Sequence, residues 1–106
     1  MDELPIAECR LDLDGLRVQR DRYQRLGRAV QRVERKPRTL TVAFAAGVDT
    51  VLLAETIAVE SECCPFFALR YDAGARELVA SVARPEQDPA LDALVTALDA
   101  PIQATS

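Results

Sequence analysis

The sequence contains no histidine and no tryptophan, and this absence removes several classes of functional site. Without imidazole there is no Ser-His-Asp triad, no Cys-His dyad and no haem ligation by His, and most zinc hydrolase sites are excluded. Aromatic residues make up only 5% of the chain. The chemistry of the protein must therefore depend on other side chains, and cysteine is the first to consider.

Long apolar runs are also absent. No stretch approaches the roughly 18 residues needed to span a bilayer. The opening residues, "MDELPIAECR", lack the basic end and apolar block of a signal peptide. We therefore expect a cytoplasmic protein without a membrane partner. The odd number of cysteines, three, argues against a disulfide framework and predicts reduced thiols.

The length of 106 residues, about half of them apolar, predicts one globular domain over 1–106. The net charge of −4 is unevenly distributed. Residues 1–46 carry ten Lys or Arg against seven Asp or Glu, and residues 47–106 carry three against ten. An acidic chain without a helix-turn-helix or aromatic stacking motif disfavours nucleic acid as the partner.

Hydrophobic periodicity predicts an α+β fold in the order β-α-β-α-β-β-α. We expect two layers, with a mainly antiparallel four-stranded sheet backed by helices. The first helix begins after an N-cap at Asp14 and runs to about Glu34. The predicted elements are a strand over 7–13, that helix, a strand over 38–46, a helix over 50–62, a hairpin over 66–83 and a helix starting at 88.

The stretch "ESECCPFF" places two adjacent cysteines, Cys63 and Cys64, at the predicted end of the second helix, since Pro65 disfavours helical geometry at the residue before it. Buried Cys often behaves as a small hydrophobic residue, so core packing is one interpretation. The other is a thiolate site for a soft metal or metalloid ion. Cys9 lies on the apolar face of the predicted first strand and would supply a third sulfur.

A three-sulfur site suits Hg(II) or As(III). A structural zinc usually takes four nitrogen or sulfur ligands. Zinc would therefore need a carboxylate, Glu60 or Glu62, or a water or second subunit, and zinc and copper are the less favoured ions. A catalytic thiol is disfavoured because the helix C-terminus and both glutamates raise a thiol's pKa. The sequence therefore disfavours an enzyme. A reversible disulfide between Cys9 and either Cys63 or Cys64 is a further alternative.

Arginines recur at steps of three, four and three in the predicted first helix, which places them on one face. They could dock an acidic partner or a second subunit, although charged helix faces are usually solvated. A non-enzymatic interaction domain with core cysteines is therefore the alternative function. The predicted docking face consists of Arg25, Arg28, Arg32 and Arg35.

The stretch "LAETIAVESECCPFFALRYD" with the later "LDALVTAL" resembles a family of small bacterial proteins. Its members carry a helix that ends in Glu-x-x-Cys-Cys-x-Phe, then a Phe-rich strand, and many have a Cys in the first strand. They resemble proteins found in heavy-metal settings, sometimes beside or fused to MerR-type mercury-responsive regulators. The resemblance implies handling of thiophilic metals. The residues that match its specific core are Glu60, Cys63, Cys64, Phe66 and Phe67.

Overall fold

A computed structural model describes residues 13–98 of the chain. Its elements are α1 (Leu13–Gly27), β1 (Val30–Lys36), β2 (Thr39–Phe44), α2 (Thr50–Cys63), β3 (Ala68–Asp72), β4 (Glu77–Ser81), a short 3-10 helix (Pro85–Gln87) and α3 (Asp88–Leu98). The strands form one antiparallel sheet in the order β1-β2-β4-β3. The predicted α+β class, with a four-stranded antiparallel sheet backed by helices, is confirmed.

Alternation along the strands separates a face packed on the helices from an outward face. Leu40, Val42 and Phe44 of β2 are each 1% exposed, and Leu78 and Ala80 of β4 are also buried. These side chains meet the apolar sides of the three helices in one continuous core. The predicted strand over 7–13 lies outside the described residues, apart from Leu13, which begins α1.

The first helix is shorter than predicted. It ends at Gly27, and residues 30–36, expected to be helical, form β1. A β-bulge between Val30 and Arg32 shifts the register of β1 on β2, so Val30 and Val33 point toward the core although they are three residues apart. The bulge thereby imitates helical spacing and explains the error.

The predicted arginine face does not exist as a helical stripe, because its four members lie on different elements. Arg25 lies on α1 and Arg28 in the following turn, whereas the other two belong to β1. Arg32 pairs with Ala43 on the outward side of the sheet. Arg35 points to the helix side, where its Nε lies 2.8 Å from Asp92 Oδ1 of α3. The four cations therefore do not form the single helix face that was predicted.

Gly27 fixes the approach of α1 to α3. A Cβ at this position would lie 1.8 Å from the backbone oxygen of Leu98. Only glycine permits this distance without a movement of one helix.

On its other side α1 contacts α2, which begins after the N-cap residue Asp49. The Asp49 carboxylate accepts a hydrogen bond from Leu52 N at 3.0 Å. α1 therefore lies in contact with both of the other helices.

Candidate functional site

The cysteine pair occupies the end of α2. Cys63 is the last helical residue, and Cys64 is the C-cap, with φ −128° and ψ 77°. The backbone N–H of Cys64 donates to the carbonyl of Glu60 at 2.7 Å. Pro65 follows and restricts the residue before it to non-helical geometry. The predicted position of the pair at a helix end is confirmed.

A tight turn follows the helix. The N–H of Phe67 donates to the carbonyl of Cys64 at 3.0 Å, with Pro65 in the second position, where proline favours the turn. The rings of Phe66 and Phe67 lie 4.8 Å apart. Phe67 belongs to the same buried cluster as both cysteines. The "CCPFF" stretch therefore ends the helix and folds an aromatic residue back into the core.

The two sulfurs are in different chemical states. Cys63 is 8% exposed and disulfide-bonded, whereas Cys64 is 1% exposed and keeps its thiol. Cys9, the predicted third ligand, lies outside the described residues 13–98. The prediction of reduced thiols is therefore wrong for Cys63, because an odd cysteine count excludes complete pairing but not one disulfide.

Beside the pair, a buried polar cluster joins α1 to α2. Glu60 is 4% exposed, and its Oε1 accepts hydrogen bonds from Tyr23 Oη at 2.7 Å and Gln19 Nε2 at 3.2 Å. Gln19 Nε2 also donates to the Thr56 carbonyl at 3.1 Å, and Arg22 donates to Gln19 Oε1 at 2.7 Å. These bonds satisfy a carboxylate that would otherwise be costly to bury.

Tyr23 reports the field inside this cluster. Burial raises the pKa of its phenol well above the ordinary value, and the nearby Glu60 carboxylate raises it further, by its charge and by accepting the phenol's hydrogen bond. Cys64 adds to the increase, whereas the hydrogen bond with Gln19 opposes it. Tyr23 therefore lies in the electrostatic environment of both Glu60 and Cys64.

The predicted carboxylate ligands occupy different environments. Glu62 is exposed, whereas Glu60 is buried and already accepts two hydrogen bonds at Oε1. Within residues 13–98, no three Cys, Asp or Glu side chains are placed to hold one ion together. Glu60 is therefore a structural neighbour of the pair, and any three-ligand site at Cys63 and Cys64 needs a donor from elsewhere in the chain.

Sequence reasoning missed Gln19 and Thr56 as members of this cluster. A signal was present: Leu16 and Tyr23 stand seven residues apart in the predicted first helix, and Gln19 lies between them at helical spacing. Thr56 stands four residues before Glu60, on the same side of α2. A polar residue inside an apolar stripe indicates a buried hydrogen bond.

A small cavity of about 10 Å³ lies between the sheet and the helices, next to Tyr23 and Thr56. Such a volume holds about one water at most and lies far below the roughly 300 Å³ of a small ligand site. It is a packing defect of the core.

No helix within residues 13–98 has the length and apolar character to cross a bilayer. The chain shows no match to protein-family models, to curated proteins or to solved structures.

Proposed function

We propose that the protein binds one soft metal or metalloid ion, of the Hg(II) or As(III) type, through cysteine thiolates at the end of α2. The observation that carries this proposal is the position of the pair: Cys63 and Cys64 are adjacent at the end of α2, one turn after the buried carboxylate of Glu60. Thiolates select soft ions. Apolar surroundings restrict access of water to such a site.

Cys9 is our candidate for the third sulfur. The chain has three cysteines, and the other two are Cys63 and Cys64. A cellular dithiol that reduces the disulfide of Cys63 supplies two electrons and two protons, is itself oxidised to a disulfide, and releases two thiols. The reduced protein would then offer three sulfurs, a set that suits Hg(II) and As(III) better than zinc or copper.

The local field favours binding over catalysis. A helix C-terminus carries partial negative charge, and Glu60 adds a buried carboxylate one turn before the pair. This field attracts a cation and disfavours a nucleophilic thiolate. We place the protein in the cytoplasm, where the reducing environment opens disulfides. There it would buffer, deliver or sense the ion.

The test is an anaerobic titration of the fully reduced protein with Hg(II) and with phenylarsine oxide, followed by charge-transfer absorption and native mass spectrometry. A dithiol competitor sets the affinity scale, since any thiol binds these ions. We expect one ion per chain. Cys63→Ser and Cys64→Ser should each abolish tight binding, and Cys9→Ser should weaken it.

The matched control is the same reduced chain unfolded in urea, which has the same thiols without the fold. If the fold forms the site, removing the ion from the folded chain needs at least about ten times the competitor concentration that removes it from the unfolded chain. This ratio corresponds to about 1.4 kcal/mol of binding free energy. Equal competition by folded and unfolded chains would contradict the proposal.

Burial of Cys64 at 1% exposure favours the second candidate, a protein-interaction domain whose cysteines only pack the core. In that case Cys64→Ser lowers the free energy of unfolding, and no variant changes the competition for the ion. Ion competition by the same three variants therefore separates the two functions.

A further inference from the structure

The outward face of the sheet has no partner among the described elements. All three helices pack on the opposite face, around one core. The register arranges the outward side chains in three rows across β1, β2, β4 and β3. The rows are Arg32, Ala43, Glu77 and Asp72; then Glu34, Thr41, Val79 and Arg70; then Lys36, Thr39, Ser81 and Ala68.

Size and charge vary systematically across this outward face. The two central strands present small side chains apart from Glu77 on β4, and the other charged side chains of the face stand on the edge strands. Three cations and three anions balance on the face. Because the charge is balanced and no aromatic side chain is present there, the face lacks the basic, stacking surface that single-stranded nucleic acid requires.

The two edges of the face are complementary in sign. In the first row β1 carries Arg32 and β3 carries Asp72, and in the second row β1 carries Glu34 and β3 carries Arg70. Three strand spacings, about 14 Å, separate the edges within one chain. Glu34 and Arg70 therefore cannot form a direct ion pair within one molecule.

We infer that the outward face binds a second copy of the chain, sheet against sheet. The two-fold axis runs parallel to the strands, midway between the two sheets and above the gap between β2 and β4. This symmetry places β1 of each copy over β3 of the other in the same row. Arg32 then meets Asp72, and Glu34 meets Arg70, twice each. An isologous interface requires such self-complementarity.

The alternative two-fold axis, perpendicular to the strands, is disfavoured by the same charges. It would stack each edge strand on its own copy, with Glu34 over Glu34 and Arg70 over Arg70. Like charges in contact across an interface are strongly unfavourable. The charge pattern therefore selects one of the two face-to-face arrangements.

Two features make the predicted dimer weak. The face measures about 19 by 17 Å from strand spacing and rise, which is small for a specific interface. Arg32 is also engaged within its own chain, where its Nη2 lies 3.1 Å from Glu77 Oε2. We expect association that depends on protein concentration and weakens as salt screens the edge charges.

The experiment is sedimentation equilibrium of the reduced protein across a concentration series, with charge variants at the second row. Arg70→Glu and Glu34→Arg should each weaken the dimer about tenfold, since each turns two attractive pairs into repulsive ones. An equimolar mixture of the two variants restores complementary contacts at both edges. It should form heterodimers at near wild-type strength, and the chain with both substitutions should self-associate again.

Arg20→Glu is the matched control, because Arg20 is exposed on α1 and the change in charge equals that of Arg70→Glu. It should leave the dimer intact. Circular dichroism confirms that every variant is folded. A chain that stays monomeric at all concentrations overturns the inference, as does a dimer that neither edge variant weakens or a mixture that fails to recover association.

Discussion

The two helix–helix interfaces of α1 are built from different chemistry. Towards α3 the contact depends on a bare backbone at Gly27, set against the Leu98 carbonyl, and on apolar side chains of α3. Towards α2 the contact is a hydrogen-bonded cluster around a buried carboxylate, Glu60. The α1–α3 interface shows that a helix can pack on α1 without a buried charged group. The α1–α2 interface nevertheless contains one.

This difference has a physical meaning. Buried polar groups contribute little net stability even when they are fully bonded, and apolar replacements of similar volume are often equally stable. We therefore expect an apolar α1–α2 interface to support the fold equally well. It lies next to Cys63 and Cys64, where a negative field would matter for an ion. We interpret the α1–α3 side as structural and the α1–α2 side as serving the cysteine site.

The largest effect is expected on the α1–α3 side, at Gly27. Gly27→Ala adds a Cβ that would lie 1.8 Å from backbone rather than from a flexible side chain, so the helices must separate. We expect the free energy of unfolding in urea to fall by more than about 3 kcal/mol. The control is Gly74→Ala, where the added Cβ would lie 3.4 Å from an Asp72 oxygen. If both variants lose the same stability, the close approach of α1 to α3 is not what Gly27 provides.

A smaller loss is expected on the polar side, at Glu60. Glu60→Met removes the acceptor for Tyr23 and Gln19, and buried donors without acceptors should lower the free energy of unfolding by about 2 kcal/mol. Glu62→Met changes an exposed residue of the same helix and should cost less than about 0.5 kcal/mol.

Replacing Gln19 and Tyr23 by Leu and Phe together with Glu60→Met should recover most of that loss, because the two donors that Glu60 accepted from are then removed with it. Failure of the triple variant to recover stability would show that the polar interface is structural after all, and the contrast between the two sides of α1 would disappear.

The weakest effect concerns alkaline pH. Since the pKa of Tyr23 is raised in the folded protein, its contribution to stability is complete below about pH 10, the pKa of an unfolded tyrosine. That contribution is lost as the pH rises from there through the folded pKa, by about 1.4 kcal/mol per pH unit. Tyr23→Phe should be less stable at pH 7 and lack this component.

The measurement is the difference in urea midpoint between wild type and Tyr23→Phe from pH 8 to 11, under anaerobic conditions. Absorbance of tyrosinate provides a second readout, since the chain has two tyrosines. A difference in urea midpoint that stays constant with pH would mean that the pKa of the Tyr23 phenol is not raised in the folded protein.

Local signals in the sequence were sufficient for most of the fold. Pro65 marked the end of α2, and alternation marked β2, β3 and β4. The predicted first helix was too long because a bulged strand and a helix can show the same spacing of buried residues. The bulge at Val30 gives β1 the three-residue step that is typical of a helix. Gly27, read as a helix end, would have corrected it.

The site was predictable only in part. Adjacent cysteines before a proline identified the end of α2, but partners of Glu60 at Gln19 and Tyr23 come from a helix 37 to 41 residues earlier in the chain. Such pairing depends on how α1 packs against α2, and periodicity alone gives no information on it. The redox state of Cys63 likewise depends on proximity in three dimensions.

The measurement that tests the central claim most directly is X-ray absorption at the mercury or arsenic edge, on reduced protein loaded with one equivalent of ion. We predict a first shell of three sulfur atoms, which falls to two in Cys9→Ser. A shell dominated by oxygen, or a sulfur count that is unchanged in Cys63→Ser and Cys64→Ser, would contradict a thiolate site at the end of α2.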